Sequence, residues 1–493
     1  MNLVLSYIIF IIYSIAIILV FLYGLAQTNL LVNYLKSKRT QKTPQKFDFN
    51  NDSEIPFVTI QLPLYNEKYV VERLLNTIAT LEYPTEKLEI QVLDDSTDDS
   101  LETTIQLVNN LKSKGFNIQF IHRTDRKGYK AGALKQGLKS AKGDFIAIFD
   151  ADFVPKKDWL YQTIPHFKDK IVGVVQTRWA HLNRNYSLLT KIQAFALDAH
   201  FTLEQVGRNS KNHCINFNGT AGVWRKTCIF DAGNWEADTL TEDLDLSYRA
   251  QLKNWKFVYL EDVETPAELP AVLSAARSQQ FRWNKGGAEN LIKLFKKIIQ
   301  SDQLSNKSKF HGVLHLLNSS MFLCVFIISF LSVPMLIIKH KFLVFDVYFN
   351  IMAFFIVTTV LFFISYWVTY KNIHGAGFKN FINYIGLFFT FYSIAMGFSL
   401  QNSVAVLEAY LGKKSAFIRT PKLNIEQLKD HWKENVYLTK YISKITIFEF
   451  LMVLYFIFGL YKGIQLNDFG LFPFHLMLVF GYGYVVKNTL QNT

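Results

Sequence analysis

The chain has 493 residues, with 53 Lys and Arg against 40 Asp and Glu, a formal charge of +13; half of the residues are apolar and 15% aromatic. No Asp, Glu, Lys or Arg falls within residues 1–35, 310–338, 347–370 or 380–407. Each window exceeds the roughly 20 apolar residues that span a bilayer, which excludes a purely soluble, disordered or fibrous chain.

The first window is too long for a signal-peptide core and reads as a membrane anchor over 1–35. Lys36, Lys38, Arg39, Lys42 and Lys46 follow it with no cation ahead, so the positive-inside rule places the N-terminus outside and the next segment in the cytosol. Residues 36–55 form a basic tether. From residue 56 to about 175, short β-rich runs alternate with helical ones: FVTIQLP, YVVERLLNTIATL, LEIQVLD, a polar helix at 98–113, NIQFIH, AGALKQGL, DFIAIFD and IVGVVQT. That alternation predicts an α/β layer with a mostly parallel sheet, and an apolar run such as FIAIF predicts a strand buried on both faces. Residues 180–260 read as more irregular, with a helix around 188–206 and a loop-rich FNGTAGVW. Residues 268–309 mix apolar and basic side chains at helical spacing, as an interfacial amphipathic helix does. Spans are expected near 313–338, 349–369, 381–400, 445–462 and 469–486, with a basic loop at 412–423.

Ligands of parallel sheets sit beyond the carboxyl ends of the strands, so the polar residues there are the candidates for chemistry. LEIQVL ends in Asp94 and Asp95, and DFIAIF ends in Asp150-Ala151-Asp152. Asp-Ala-Asp suits a hard divalent cation shared with substrate phosphates, although alone it also fits a solvated turn. Thr241, Glu242 and Asp243 read either as a capped helix start or as the source of a general base. Arg126, Lys127, Gly128 and Lys130 precede a helix, where cations and backbone N–H groups meet to favour phosphate. Arg282 can fork onto a phosphate, and Trp283 is either a membrane anchor or a platform for a sugar ring. The three cysteines lack paired spacing, and His213 beside Cys214 lacks the partners of a closed zinc site, so buried thiols are expected. Positive charge clusters beside the apolar windows, which points to membrane lipid and away from nucleic acid.

Taken in order, LPLYNE (62–67), VLDDSTDDS (92–100), RKGYKAGAL (126–134), FDAD (149–152), FNGT (217–220), TED (241–243) and QQFRW (279–283) resemble the family 2 membrane glycosyltransferases, and most closely the cellulose-synthase-like makers of β-mannan or β-glucan. The resemblance implies a GT-A catalytic domain over 56–267, joined to a helical membrane region over 310–493, and an inverting, processive transfer from UDP-glucose or GDP-mannose with Mg²⁺ or Mn²⁺. By that resemblance Asp94 or Asp95 holds the nucleoside, Lys130 the diphosphate, and Asp150 and Asp152 the metal. Asp243 is the base. Asn218, Gly219, Thr220, Glu242, Gln279, Arg282 and Trp283 shape the site of a polysaccharide or lipid-linked acceptor. Phe417, Thr420 and Lys422 in FIRTPK are similar to the gating loop of cellulose synthases, with Arg419 where that loop has Val. Two other readings share these features: single transfer to a lipid, as ceramide glucosyltransferases perform, and a non-catalytic transporter or scaffold.

Three full spans between 310 and 401 would carry Lys413, Lys414, Arg419 and Lys422 outside, against the positive-inside rule. One of the three apolar segments is therefore expected to be re-entrant, tilted or hairpin-like, with an interfacial helix at 399–411. Irregular membrane backbone of that kind is tolerated where it lines a polar path.

Overall fold

The computed structural model describes residues 3–37, 54–342, 345–425, 436–437 and 444–491. Most of the expected basic tether, 38–53, lies outside the described residues.

Seven strands form one sheet: β1 (Val58–Leu64), β2 (Leu88–Asp94), β3 (Ile118–His122), β4 (Phe145–Ile148), β5 (Val172–His181), β6 (Gly222–Arg225) and β7 (Lys256–Ala267). Their order is β3-β2-β1-β4-β6-β5-β7. Every pairing is parallel except those of β6, which runs antiparallel to both β4 and β5. The first four strands sit where the alternation of apolar runs put them. Two strands were not legible in the irregular stretch: β6 comes from the GVWR that reads as loop, and β7 spans twelve residues. Four residues are too few to establish a period of two, and β6 exists because β4 and β5 flank it on both edges.

Strand β4 is buried on both faces, as FIAIF requires. Phe145, Ala147 and Phe149 pack with Ile60, Leu62 and Leu74 on one side; Ile146 and Ile148 pack with Leu134, Trp224 and Trp235 on the other. Cys214, Cys228 and Cys324 are all free and buried, in keeping with their reading as small apolar residues.

Helix Leu3–Ser37 precedes the sheet domain and packs on it through Leu30 and Leu31 against Leu203. Helix Leu273–Gln300 follows β7 after a five-residue connection, burying Leu273, Ala276, Leu294 and Ile298 and exposing Ile292, Phe295 and Ile299. Among the described residues, four stretches are long and apolar enough to cross a membrane: Leu3–Ser37, Asn306–Lys341, Asp346–His374 and Lys444–Gln465. Phe378–Gly397 and Ser399–Tyr410 form a pair bent by 47°. Near its start, the Tyr384 ring is 6.1 Å from Phe195 of helix Leu188–Ala199. At its end, Glu408 accepts from Lys285 of helix Leu273–Gln300 at 3.0 Å. Lys285 is fully buried, so this ion pair is shielded from solvent screening.

Candidate active site

β1, β2 and β4 all end at one rim of the sheet, because parallel register sets Leu64 opposite Asp94 and Gln61 opposite Ile148. The residues just past those ends, Tyr65 and Glu67, Asp95, and Asp150 and Asp152, line one cavity. The cavity is closed by Lys130, by Asn218 and Gly219, by Glu242 and Asp243, by Gln279, Arg282 and Trp283, and by Phe417, Thr420 and Lys422. Motifs separated by more than 350 residues in sequence thus share one enclosure. Two of the sequence-predicted residues do not line it. Asp94 is fully buried and its carboxylate accepts the Ser96 amide at 2.7 Å, so of the two neighbouring acids Asp95 is the one facing the cavity. Thr220 is fully buried and its Oγ1 accepts the Asp150 amide at 2.8 Å, which pins the loop that carries the first acid of Asp-Ala-Asp.

The Asp95 carboxylate is held by the Arg123 guanidinium, with Nε donating at 2.8 Å and a terminal nitrogen to the other oxygen. Lys130 donates to Asp150 and, at 2.8 Å, to the Gly219 carbonyl. It reaches them from helix Tyr129–Gly137, whose start follows a turn in which Arg126, Gly128 and Tyr129 all take positive φ. Lys422 donates to Asp152 Oδ2 at 2.7 Å. Asp152 Oδ1 is buried with no hydrogen-bond partner, a donor atom of the type a divalent cation completes. With Asp150 one residue away and partly open to the cavity, the acids present fit such an ion. A second acidic cluster, Glu236, Asp238 and Asp245, offers no comparable opening, because Lys293 Nζ binds all three at 2.7, 2.7 and 2.9 Å.

Asp243 starts helix Glu242–Gln251, and its Oδ1 accepts the Leu244 amide at 2.9 Å. Thr241 does not cap this helix; its hydroxyl accepts from Asn290 at 2.9 Å instead. Burial, reinforced by the neighbouring Glu242 charge, pushes the Asp243 carboxyl up to about 7, while burial raises Glu242 as well. A carboxylate that takes a proton near neutrality is matched to general-base work. Gly219 faces it at φ +80, and a Cβ there would stand 3.0 Å from Asp243 Oδ2 and 3.6 Å from Lys130 Nζ. Glycine therefore brings the backbone, base and lysine together where no other residue would fit.

The loop Phe417–Lys422 covers the cavity. Phe417 stacks on Tyr129 with centroids 5.4 Å apart, and the Arg282 guanidinium lies 4.6 Å from its ring centre. Arg419 docks the loop by donating to the Tyr65 carbonyl at 2.7 Å and to the Asn66 carbonyl, 3.6 Å from the Glu67 carboxylate. Its guanidinium also sits 4.6 Å from the Tyr437 ring, whose hydroxyl donates to Asp98 at 2.5 Å. The departure from Val thus fastens the loop to the LPLYNE turn. Glu67 and Glu268 line the cavity, and burial raises their carboxyls to about 8 and about 7. Sequence reading assigned neither a role. Glu67 lay inside a quoted motif, whereas Glu268 carried no signal beyond its place after a strand.

Trp283 and Leu197 border a second, larger cavity that runs among helices Leu188–Ala199, Leu273–Gln300, Ile356–His374 and Ser399–Tyr410. Its walls alternate aromatic and amide side chains, including Tyr366, Phe391, Gln280, Asn284 and Asn402.

Residues 56–286 match the model of a family described as "Glycosyltransferase like family 2". The chain is 42% identical over 268 residues to glucomannan 4-beta-mannosyltransferase 1 of Oryza sativa subsp. japonica, covering 53% of this chain and 51% of that protein. It is 39% identical over 282 residues to glucomannan 4-beta-mannosyltransferase 9 of Arabidopsis thaliana, covering 56% and 53%. The chain thus spans about half the length of the curated relatives it matches. Its fold is similar to that of the mannosyltransferase PcManGT from Pyrobaculum calidifontis, solved in complex with GDP-Man and Mn²⁺, with a TM-score of 0.51 at 18% identity over 80% of this chain and all of that one. Seven ordered motifs, a mostly parallel sheet with its acids on one rim, and a matching family model agree: residues 56–286 form a glycosyltransferase-like family 2 domain.

Proposed function

We propose that the protein is a membrane-embedded, inverting glycosyltransferase that lengthens a β-linked mannan or glucan from a nucleotide sugar, with GDP-mannose the favoured donor. The observation that carries this reading is the convergence of Asp150, Asp152, Asp243 and Trp283 on one cavity, with Trp283 also forming part of the wall of a second one. The relatives named as mannosyltransferases support the choice of donor.

In this reading Asp95 meets the nucleoside, and Lys130, Arg282 and Lys422 meet the diphosphate, whose negative charge grows as it leaves. Asp150 and Asp152 would hold Mg²⁺ or Mn²⁺, which would supply Lewis-acid stabilisation of the diphosphate charge. Asp243 takes the proton of the acceptor hydroxyl. That oxygen forms a bond to the anomeric carbon on the face opposite the departing diphosphate, so one C–O bond forms as another breaks and the configuration inverts. Phe417 and Arg282 close over the site and exclude water, which otherwise competes as acceptor. Trp283 offers a flat apolar face to the acceptor, and the aromatic and amide walls beyond it give a polar chain a path among the helices.

The catalytic domain is placed in the cytosol on the cations that follow residue 35. The bent pair Phe378–Gly397 and Ser399–Tyr410 dips into the membrane without crossing, with Tyr384 packed near Phe195 and Glu408 paired with Lys285. This keeps Lys413 to Lys422 on the side where the nucleotide is.

The test is incubation of membranes with each labelled nucleotide sugar and Mg²⁺ or Mn²⁺, followed by sizing and digestion of the product with linkage-specific glycanases. A polymer made from GDP-mannose and cut by a β-mannanase is expected. A single sugar on lipid from every donor transfers the reading to lipid glycosylation.

A further inference from the structure

The two ends of the covering loop are held unequally. On its C-terminal side Leu423 and Ile425 are buried with Ala271, Val272 and Ala275, whereas on its N-terminal side the contacts are polar: Lys413 donates to Glu408, Lys414 to the Asp238 carbonyl at 3.3 Å, and Ser415 Oγ accepts from Lys285. Glu268, directly after β7, stands at the buried end. One carboxylate oxygen accepts the Leu423 amide at 3.0 Å and the other accepts the Asn424 amide at 2.9 Å. Asn424 takes φ +56, and this left-handed step turns two successive N–H groups toward one anion, as backbone nests do. The amide of Glu268 in turn donates to Asp152 Oδ2 at 3.2 Å, the oxygen that also receives Lys422 Nζ. One residue therefore joins the end of the loop to the second acid of Asp-Ala-Asp.

We propose that Glu268 is a positioning residue: it fixes residues 423–425 as the hinge post of the loop 417–422 and orients Asp152, so that Phe417 and Lys422 are held in register with the acids of the cavity. A carboxyl group whose two oxygens each accept one of two adjacent amides constrains both peptide units at once, which makes a stiff post. With Oδ2 of Asp152 engaged by Glu268 and Lys422, Oδ1 is left as its open acceptor, which ties the aim of that acid to the state of the loop. The proposal rests on the donor-transfer reading above and adds a residue that none of the sequence motifs contains.

The experiment uses the full chain in detergent with three variants: Glu268→Gln, Glu268→Asp and Lys422→Ala. Gln keeps one acceptor and turns an NH₂ toward the second amide; Asp keeps the charge but is too short to grip both. Amide hydrogen exchange over 417–425, with GDP or UDP plus Mn²⁺, is expected to be faster by about tenfold or more in both Glu268 variants, and donor KM to rise by about tenfold to a hundredfold. At saturating donor, kcat is expected to fall by less than KM rises, because the Glu268 side chain grips the loop backbone and touches no reacting atom. In the Lys422→Ala background the further KM effect of Glu268→Gln is expected to shrink below about threefold, as coupled residues require. Wild-type exchange over 417–425 in both Glu268 variants, or a KM effect undiminished by Lys422→Ala, overturns the proposal. The exchange measurement does not depend on turnover: a chain that transfers no sugar but loosens at 417–425 in these variants refutes the donor reading while upholding the hinge post.

Discussion

Asp243→Asn separates the chemistry of the site from its architecture. Asn is nearly isosteric, and its side-chain oxygen can still accept the Leu244 amide that Asp243 Oδ1 accepts at 2.9 Å. The contact with Gly219 is kept, and Lys130 keeps its bonds to Asp150 and the Gly219 carbonyl. What is lost is proton acceptance, so kcat is expected to fall by about 10²- to 10⁴-fold, equivalent to roughly 3 to 5 kcal/mol of barrier. Donor affinity should hold or improve, because one negative charge leaves a cavity that receives a diphosphate. The wild-type dependence on pH follows with a definite sign. Asp243 acts only when ionised and its carboxyl is raised to about 7, so kcat/KM is expected to decline as pH falls through that region, and this acid limb to vanish in the variant. Ionising a buried carboxyl also opposes folding, and the stability it costs is lost as pH rises from the unfolded carboxylate value toward 7. The Asn variant should therefore be at least as stable as wild type at pH 8. Turnover with labelled donor, nucleotide titration by calorimetry and a thermal melt at pH 5 and pH 8 measure the three effects. Near-normal turnover, or loss of nucleotide binding in step with turnover, refutes Asp243 as the base.

Gly219→Ala is expected to lower transfer by about tenfold or more, since a left-handed backbone costs a non-glycine residue about 1 to 3 kcal/mol and the new methyl would press on Asp243 Oδ2; initial rates check this. Trp283→Ala should shorten or abolish polymer more than it impairs donor hydrolysis, because the ring forms part of the wall of both cavities; gel filtration of labelled product, set against nucleotide release, decides it. Lys414→Cys should resist a membrane-impermeant thiol reagent applied to intact cells and react after permeabilisation; labelling from outside would mean that the bent pair crosses the membrane and that the loop Phe417–Lys422 is severed from the nucleotide.

The sequence by itself determined the elements whose signal is local. Apolar runs such as FIAIF give strands, windows of twenty or more uncharged residues give long apolar helices, and acids placed directly after strands mark the rim of a parallel sheet where ligands gather. Because parallel register aligns strand ends, the acids after β2 and β4 could be expected at one rim, whereas Asp243, at a helix start, was joined to them only through the resemblance. Whatever depended on partners far along the chain had to wait for the tertiary structure. Strand β6 is set by its two neighbours and not by its four residues. Asp95 rather than Asp94 faces the cavity because a strand turns successive side chains to opposite sides, and only packing decides which side is the cavity. Arg419 finds its role in carbonyls more than 350 residues earlier. The apolarity of 380–407 reads as one continuous span, yet the segment is broken into two helices bent by 47°, with Tyr384 packed near Phe195 and Glu408 paired with Lys285. Hydropathy measures how much apolar surface a segment must bury and leaves open whether lipid or protein covers it, and that choice is made only when the helices pack.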